Sequence, residues 1–282
     1  MKHAITAQVL VLAVSSVLLA EFPSTQPWEE VRYQELSREN PMVRMFVVTV
    51  DLNDPDVELR VVPGGPDPDG EGPFQTQLLT VEEIARRDGF DIAINGDFFA
   101  TETVVDPETG KKKGYFTGQS ARVIGPAMTD GSLWSDGPTT RPLLAWTRDR
   151  KALVGAWQAL PADAVQVISG NVVLLRDGQI VPHKDEARHP RTVVGVNSTG
   201  DRLILLTVDG RRPGVSIGMS YQELAETMLE LGAYQAVNLD GGGSTTLIMR
   251  DPEDGSFDTI NQPSDGKLRP VANVLGIKIK RN

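Results

Sequence analysis

The stretch AVNLDGGGSTT, residues 236–246, ends an apolar run on a carboxylate, Asp240, then supplies Gly241, Gly242, Gly243 and the hydroxyls of Ser244 and Thr245. A carboxylate delivered there is partly desolvated yet ringed by donors, which suits a nucleophile, a base or a metal ligand better than a surface charge. Successive glycine amides after a strand can curl into a concave nest of N–H donors for a phosphate or carboxylate oxygen. The run is not a Walker loop, because no Gly-Lys-Ser/Thr step follows, and not a nucleophile elbow, because the last glycine of G-x-S-x-G is missing. A second carboxylate, Asp97 in INGDFF, has a similar setting. Paired carboxylates cleave glycosidic bonds, one protonating the departing oxygen and one attacking or activating water. A phosphate ester departs without a strong acid, so one carboxylate and an anion clamp then suffice.

Arg191, at the start of the strand-like RTVVGVN, is the clamp candidate, since a guanidinium grips phosphate through two parallel hydrogen bonds. Asp209 and Arg211 end another apolar run, in TVDGRR. Asn95 and Asn238 each precede a candidate carboxylate by two residues, so each pair shares one face of an extended strand end. Such amides can orient sugar hydroxyls or an attacking water. A competing reading makes Asp97, Asp209 and Asp240 ligands of a divalent ion in a phosphodiesterase. His183 and His189 lack a third ligand at metal-like spacing. The acidic loop DLNDPD can hold a structural calcium ion; no cofactor is otherwise required.

Two similar cassettes position these groups. TVEEIARRDGFDIAINGDFF and SYQELAETMLELGAYQAVNLDGGG each run capping box, helix, glycine, buried strand and Asn-x-Asp. On neighbouring strands they would aim their polar groups into one cleft. The second helix shows Tyr221, Leu224, Ala225, Met228 and Leu229 on one face. The remaining chain reads as short β-rich runs separated by turns: MVRMFVVTVDL, VELRVVPG, ARVIG, PLLAW, ALVGAW, AVQVISG, VVLLRDGQIV and the hairpin RTVVGVN-STGD-RLILLTVDG. The polar DPETGKKKG reads as an exposed hairpin tip or flap, and the segment before Met42 as a polar lead-in. Two helices among a dozen strands predict an α+β single domain, with a mixed or antiparallel sheet and two principal helices.

With 282 residues and a formal charge of −10, the chain repels nucleic acid and anionic membranes unless its charges are sharply segregated. The cysteine count of zero removes disulfides and thiol chemistry. Residues 1–20 read as a signal peptide or N-terminal anchor, leaving 21–282 as the domain, and no later run is long enough to span a membrane. A secreted, periplasmic or cell-envelope protein follows.

Together INGDFF, HPRTVVGV, the run from LLTVDGRR through NLDGGGSTTL, and the tail INQPSDGKLRPVANVLGI resemble the phosphodiester glycosidase family over about residues 90–279. The resemblance implies an exported hydrolase that splits a glycosyl-1-phosphodiester, with N-acetylglucosamine as a candidate sugar, into free sugar and a phosphomonoester. Asp240, Asp97 and Asp209 are then the catalytic candidates. Asn95, Arg191, Arg211, Asn238, Gly241, Gly242, Gly243, Ser244 and Thr245 are the substrate-binding ones. Asp97 stands where many relatives carry a second glycine, so its candidacy rests on its own placement. The alternative of a different class is a non-catalytic binder of phosphodiester-linked envelope glycans.

Overall fold

A computed structural model describes residues 20–21 and 25–280; residues 1–19, nearly all of the segment read as an export signal, lie outside the described residues. Two sheets hold the core. One runs, in spatial order, Val31–Glu39, Met42–Asp51, Arg202–Val208, Arg191–Val196, Gln235–Asn238, Val172–Arg176 and Gln179–Ile180, with two short N-terminal strands also paired to the first. The other runs Phe257–Thr259, Leu247–Arg250, Ile92–Asn95, Asn273–Ile279 and Val57–Pro63.

Alternation along each strand decides which side chains meet. Val194, Val196, Leu203 and Leu205 of the first sheet share a buried cluster with Ile92, Ile94, Leu275 and Ile277 of the second, so these faces pack on each other. The chain has two helices, α1 over Val81–Asp88 and α2 over Tyr221–Glu230; the intervening Val193, Ile204 and Leu206 of the first sheet face the other way, onto Leu224, Ala225 and Met228 of α2. Ala93, Ile248 and Val274 likewise face Val81, Ile84 and Ala85 of α1. The order is helix, sheet, sheet, helix. A third sheet, built on Leu143–Thr147 and Ala164–Ser169, adds Leu144, Trp146 and Ile168 to the central cluster. Burying each such side chain contributes about 1.5–3 kcal/mol, which lets a cysteine-free chain hold together.

Both helices begin where the sequence places them. Thr80 and Glu83 form a reciprocal capping box before α1, as do Ser220 and Glu223 before α2. Gly89, at φ 69°, closes α1 in the left-handed conformation that glycine adopts without steric cost.

Other expectations need correcting. Neighbouring strands pair antiparallel throughout the described residues, within the mixed or antiparallel expectation, but they form four sheets and not one. With helices of only 8 and 10 residues the fold is mainly β, and the α+β label fits loosely. The polar lead-in contains a nine-residue strand, Val31–Glu39, whose partly exposed face hides the alternation. Leu229 is 40% exposed, and Thr227 takes a place on the buried face of α2 instead. The cassette strands Ile92–Asn95 and Gln235–Asn238 are not neighbours: they belong to opposed sheets.

Candidate active site

The two cassettes meet end to end across the gap between the sheets. The amide of Asp240 donates to the carbonyl of Gly96 at 3.0 Å, and Asn95 Nδ2 donates to the carbonyl of Asp240 at 2.7 Å. Asn95 Oδ1 accepts from Thr192 Oγ1 at 2.7 Å and from the amide of Thr246 at 3.1 Å. Asn95 is therefore fully occupied as a buried strut. It fixes the main chain under Asp240 and does not line the cleft.

Above this junction lies a cleft of about 290 Å³, on which Asp240 is the lining carboxylate and Arg191, Arg211 and Arg269 are the lining cations. Phe98, Tyr221, His189 and the three glycines complete its wall. Two of the arginines, Arg191 and Arg269, are held from behind. Arg191 Nε donates to the carbonyl of Met219 at 3.1 Å, its Nη2 to that of Ala187 at 3.0 Å, and its guanidinium lies 4.1 Å from the Tyr221 ring centre. Arg269 Nε donates to Asp265 Oδ2 at 2.9 Å, and its guanidinium lies 4.8 Å from the Tyr115 ring centre. Arg211 sits at φ 60°, a left-handed backbone conformation that non-glycine residues seldom adopt. Burial first, and then the charges of Arg191 and Arg211, hold the His189 imidazole below its ordinary value. Burial also pushes the Asp240 carboxyl up to about 6, against the opposing pull of the Ser244 hydroxyl, the Gly241 amide and the Arg269 charge. A basic site thus surrounds a reluctant carboxylate.

The glycines do a different job from the one their sequence suggests. The Gly241 amide donates to Asp240 Oδ1 at 2.9 Å, the Gly242 amide to the carbonyl of Pro190 at 2.9 Å, and the Ser244 amide to the carbonyl of Gly241 at 3.2 Å within a short 3-10 turn. With the Gly241 and Gly242 amides engaged by the chain, the three glycines do not present a continuous row of outward donors. What the glycines provide is room. A Cβ on Gly241 would stand 2.7 Å from the Pro190 carbonyl oxygen, one on Gly242 2.9 Å from Arg211 Nη2, and one on Gly243 2.0 Å from Arg269 Nη2. Two of the three cleft guanidiniums therefore lie directly against bare main chain.

The structure does not gather the other candidates in the cleft. Asp97 is 2% exposed: Asn273 Nδ2 donates to its Oδ2 at 2.5 Å and the Ser169 amide to its Oδ1 at 3.0 Å. Burial pushes its carboxyl up to about 7. Asp209 is fully buried beneath the loop at Asn261 and Gln262, accepting from the Gln262 amide at 2.8 Å, and burial raises its carboxyl. Asn238 donates through Nδ2 to Asn171 Oδ1 at 2.8 Å, and Asn171 Nδ2 donates to the Tyr221 hydroxyl at 3.0 Å, so Asn238 reaches the cleft only through Tyr221. Ser244 and Thr245 are buried behind the glycines, where Ser244 supports Asp240. Asp97, Asp209 and Asp240 thus occupy separate surroundings and do not converge as a ligand set; among the described residues no group of three His, Asp or Glu side chains is placed to hold a metal ion. The carbonyls of Leu52 and Asp54 in the DLNDPD loop, and of Val57 just after it, all accept from Arg150 Nη2, which places a guanidinium beside that loop. A larger concavity, about 540 Å³ beside Glu30, Arg32 and Asp201, contains none of the candidate residues.

Phe98, Tyr221, His189 and Arg269 are the cleft residues that the sequence reading did not assign to the site. Phe98 and Arg269 lie inside the motifs INGDFF and KLRPVANVLGI, which was the available signal. Tyr221 was read only as part of a helix face and His189 only as an incomplete zinc ligand.

A family model described as phosphodiester glycosidase matches residues 88–278, a span that contains every cleft-lining residue. The chain belongs to the phosphodiester glycosidase family. Within this family, the N-acetylglucosamine-1-phosphodiester alpha-N-acetylglucosaminidase of Bos taurus is 30% identical over 210 residues, covering 66% of this chain and 36% of that protein. The chain therefore spans about a third of the length of such relatives. The catalytic domain of the zebrafish protein of that name, described as auto-inhibited by pro-peptide, superposes with a TM-score of 0.63 at 23% identity, over 95% of this chain and 86% of that one. A hypothetical protein from Synechocystis gives a TM-score of 0.60 at 16% identity, over 89% and 62%. These likenesses show a shared fold.

Proposed function

We propose that this chain hydrolyses a glycosyl-1-phosphodiester at the bond between the anomeric carbon and the phosphate oxygen. The observation that carries the reading is Asp240 sharing one small cleft with Arg191, Arg211 and Arg269. The arginines draw in the phosphodiester and stabilise the negative charge that grows on the bridging oxygen as it takes the electron pair of the breaking bond. Asp240, ionised above a pKa of about 6, attacks the anomeric carbon or takes the proton of the water that does. The products are free sugar and a phosphomonoester. The names of the relatives point to N-acetylglucosamine as the sugar.

Hydrolysis in oxygen-18 water tests the bond assignment. Label is expected at the anomeric hydroxyl of the sugar; label in the phosphate instead would mean that the P–O bond breaks, as in a phosphodiesterase. Export is part of the same proposal and rests on the apolar run at residues 9–20. N-terminal sequencing of protein recovered outside the cytoplasm checks it.

A further inference from the structure

Beside the cleft stands a hairpin that the proposed hydrolysis does not use. The Lys113 amide donates to the carbonyl of Val104 and the Asp106 amide to that of Lys111, both at 2.8 Å, with a bridge between Val105 and Lys112. Between this hairpin and the strand end at Thr101 lies a second cavity, of about 340 Å³, whose wall includes Glu102, Lys112, Lys113, Tyr115 and Gln119. The two spaces share a partition. Arg269, which lines the first, covers the ring of Tyr115, which lines the second. Tyr115 in turn meets Phe99 edge-on at 5.4 Å, next to the cleft residue Phe98. A phosphate held by Arg269 would therefore stand next to Tyr115 and the second cavity.

Two independent features mark the second cavity as a place for a ligand. Gln119 is 3% exposed, and its Nε2 donates to the carbonyl of Glu102 at 2.9 Å, which fixes the amide orientation. Its Oε1 is then left buried with no hydrogen-bond partner among the described residues. An unpaired buried acceptor costs about 1–3 kcal/mol, and a hydroxyl donor relieves that cost. The second feature is the combination of Lys112 and Lys113 with Tyr115, a ring left 44% exposed. Lysines take phosphate as point charges, and an exposed tyrosine offers an apolar face with a polar tip. Glu102 adds another acceptor for hydroxyls. Acceptors, cations and an aromatic face together fit a polyol or sugar phosphate better than an apolar alcohol.

We propose that this cavity is an aglycone subsite, and that the preferred substrate is a glycosyl phosphodiester whose aglycone is a polyol or sugar carrying a further phosphate. The proposal rests on the glycosidase reading above. Its test compares a glycosyl-1-phosphodiester bearing a methyl aglycone with one bearing glycerol phosphate. The expected kcat/KM ratio, long over short, is about tenfold, the worth of one charge-assisted contact. It should fall toward unity in the double variant Lys112→Ala/Lys113→Ala and again in Tyr115→Ala, largely through KM. Equal use of both substrates by the wild type, or an unchanged ratio in the variants, overturns the subsite. Turnover of neither substrate counts against the glycosidase reading instead. A separate titration with glycerol 3-phosphate then decides the subsite: saturable binding that weakens in the double lysine variant supports it, and no binding to the wild type overturns it.

Discussion

The two helix-strand cassettes are nearly the same local object and do opposite things. Each has a capping box, a short amphipathic helix, a buried strand and an Asn-x-Asp end. In the first, Asp97 is turned inward, with Asn273 and the Ser169 amide on its oxygens. In the second, Asp240 opens onto a cleft of arginines. Both carboxyls are raised by burial, so a shifted pKa alone does not mark the reactive one. What differs is the next step of chain. Phe98 and Phe99 follow Asp97 and bring side chains, whereas three glycines follow Asp240 and bring none, which lets Arg211 and Arg269 close in. The proposed function depends on what the surrounding chain leaves out.

The sharpest way to break this contrast is to exchange the damage. Asp240→Asn should lower kcat/KM by about 10³-fold with little change in unfolding midpoint, as expected for loss of a nucleophile or general base. Asp97→Ala should instead cost about 2 kcal/mol of stability by stranding two buried donors, while the folded variant keeps kcat/KM within about tenfold. If Asp97→Ala proved the more inactive of the two when folded, the roles would be reversed.

A smaller effect is expected from the glycines. Gly243→Ala places a methyl group where Arg269 Nη2 now lies, so the Arg269–Asp265 pair must shift. Losing one such charged contact predicts a fall of about 10- to 100-fold in kcat/KM, carried mostly by KM. Kinetics indistinguishable from wild type would mean that Arg269 does not hold the phosphate.

The mildest test is pH. Because Asp240 must be ionised to act and burial holds it near 6, kcat/KM should rise with pH through about 6 and level above. Stability should run the other way. Asp97 is held near 7 in the folded chain against an ordinary value of 3.8, so the folded state binds more protons between those values. Its contribution is full below about 4 and is lost as pH rises through about 7. Thermal unfolding midpoints at pH 5 and pH 8 check the direction, and a higher midpoint at pH 8 would contradict it.

Features set by nearby residues were legible in the sequence. The capping boxes at Thr80 and Ser220, the hairpin across residues 197–201 and the Asp177-Gly178 turn all depend on a few adjacent positions, and each forms as read. Asp240, Arg191 and Arg211 were also legible as cleft residues, because each ends or begins an apolar run. Long-range partners were not. Arg269 meets a glycine 26 positions earlier, and Asn95 props up a backbone 145 positions later; neither pairing leaves a local pattern. A run of glycines is equally consistent with donating outward and with yielding space, and the room these glycines leave is visible only once Pro190, Arg211 and Arg269 are placed beside them.

The junction below Asp240 also bears on how the site is inherited by parts of the chain. Asn95 belongs to one sheet and Thr192 to the other; Thr192 Oγ1 donates to Asn95, which in turn holds the main chain at Asp240. Neither half of the sandwich owns a complete groove, so a fragment carrying only the glycine loop would possess the signature string without its geometry.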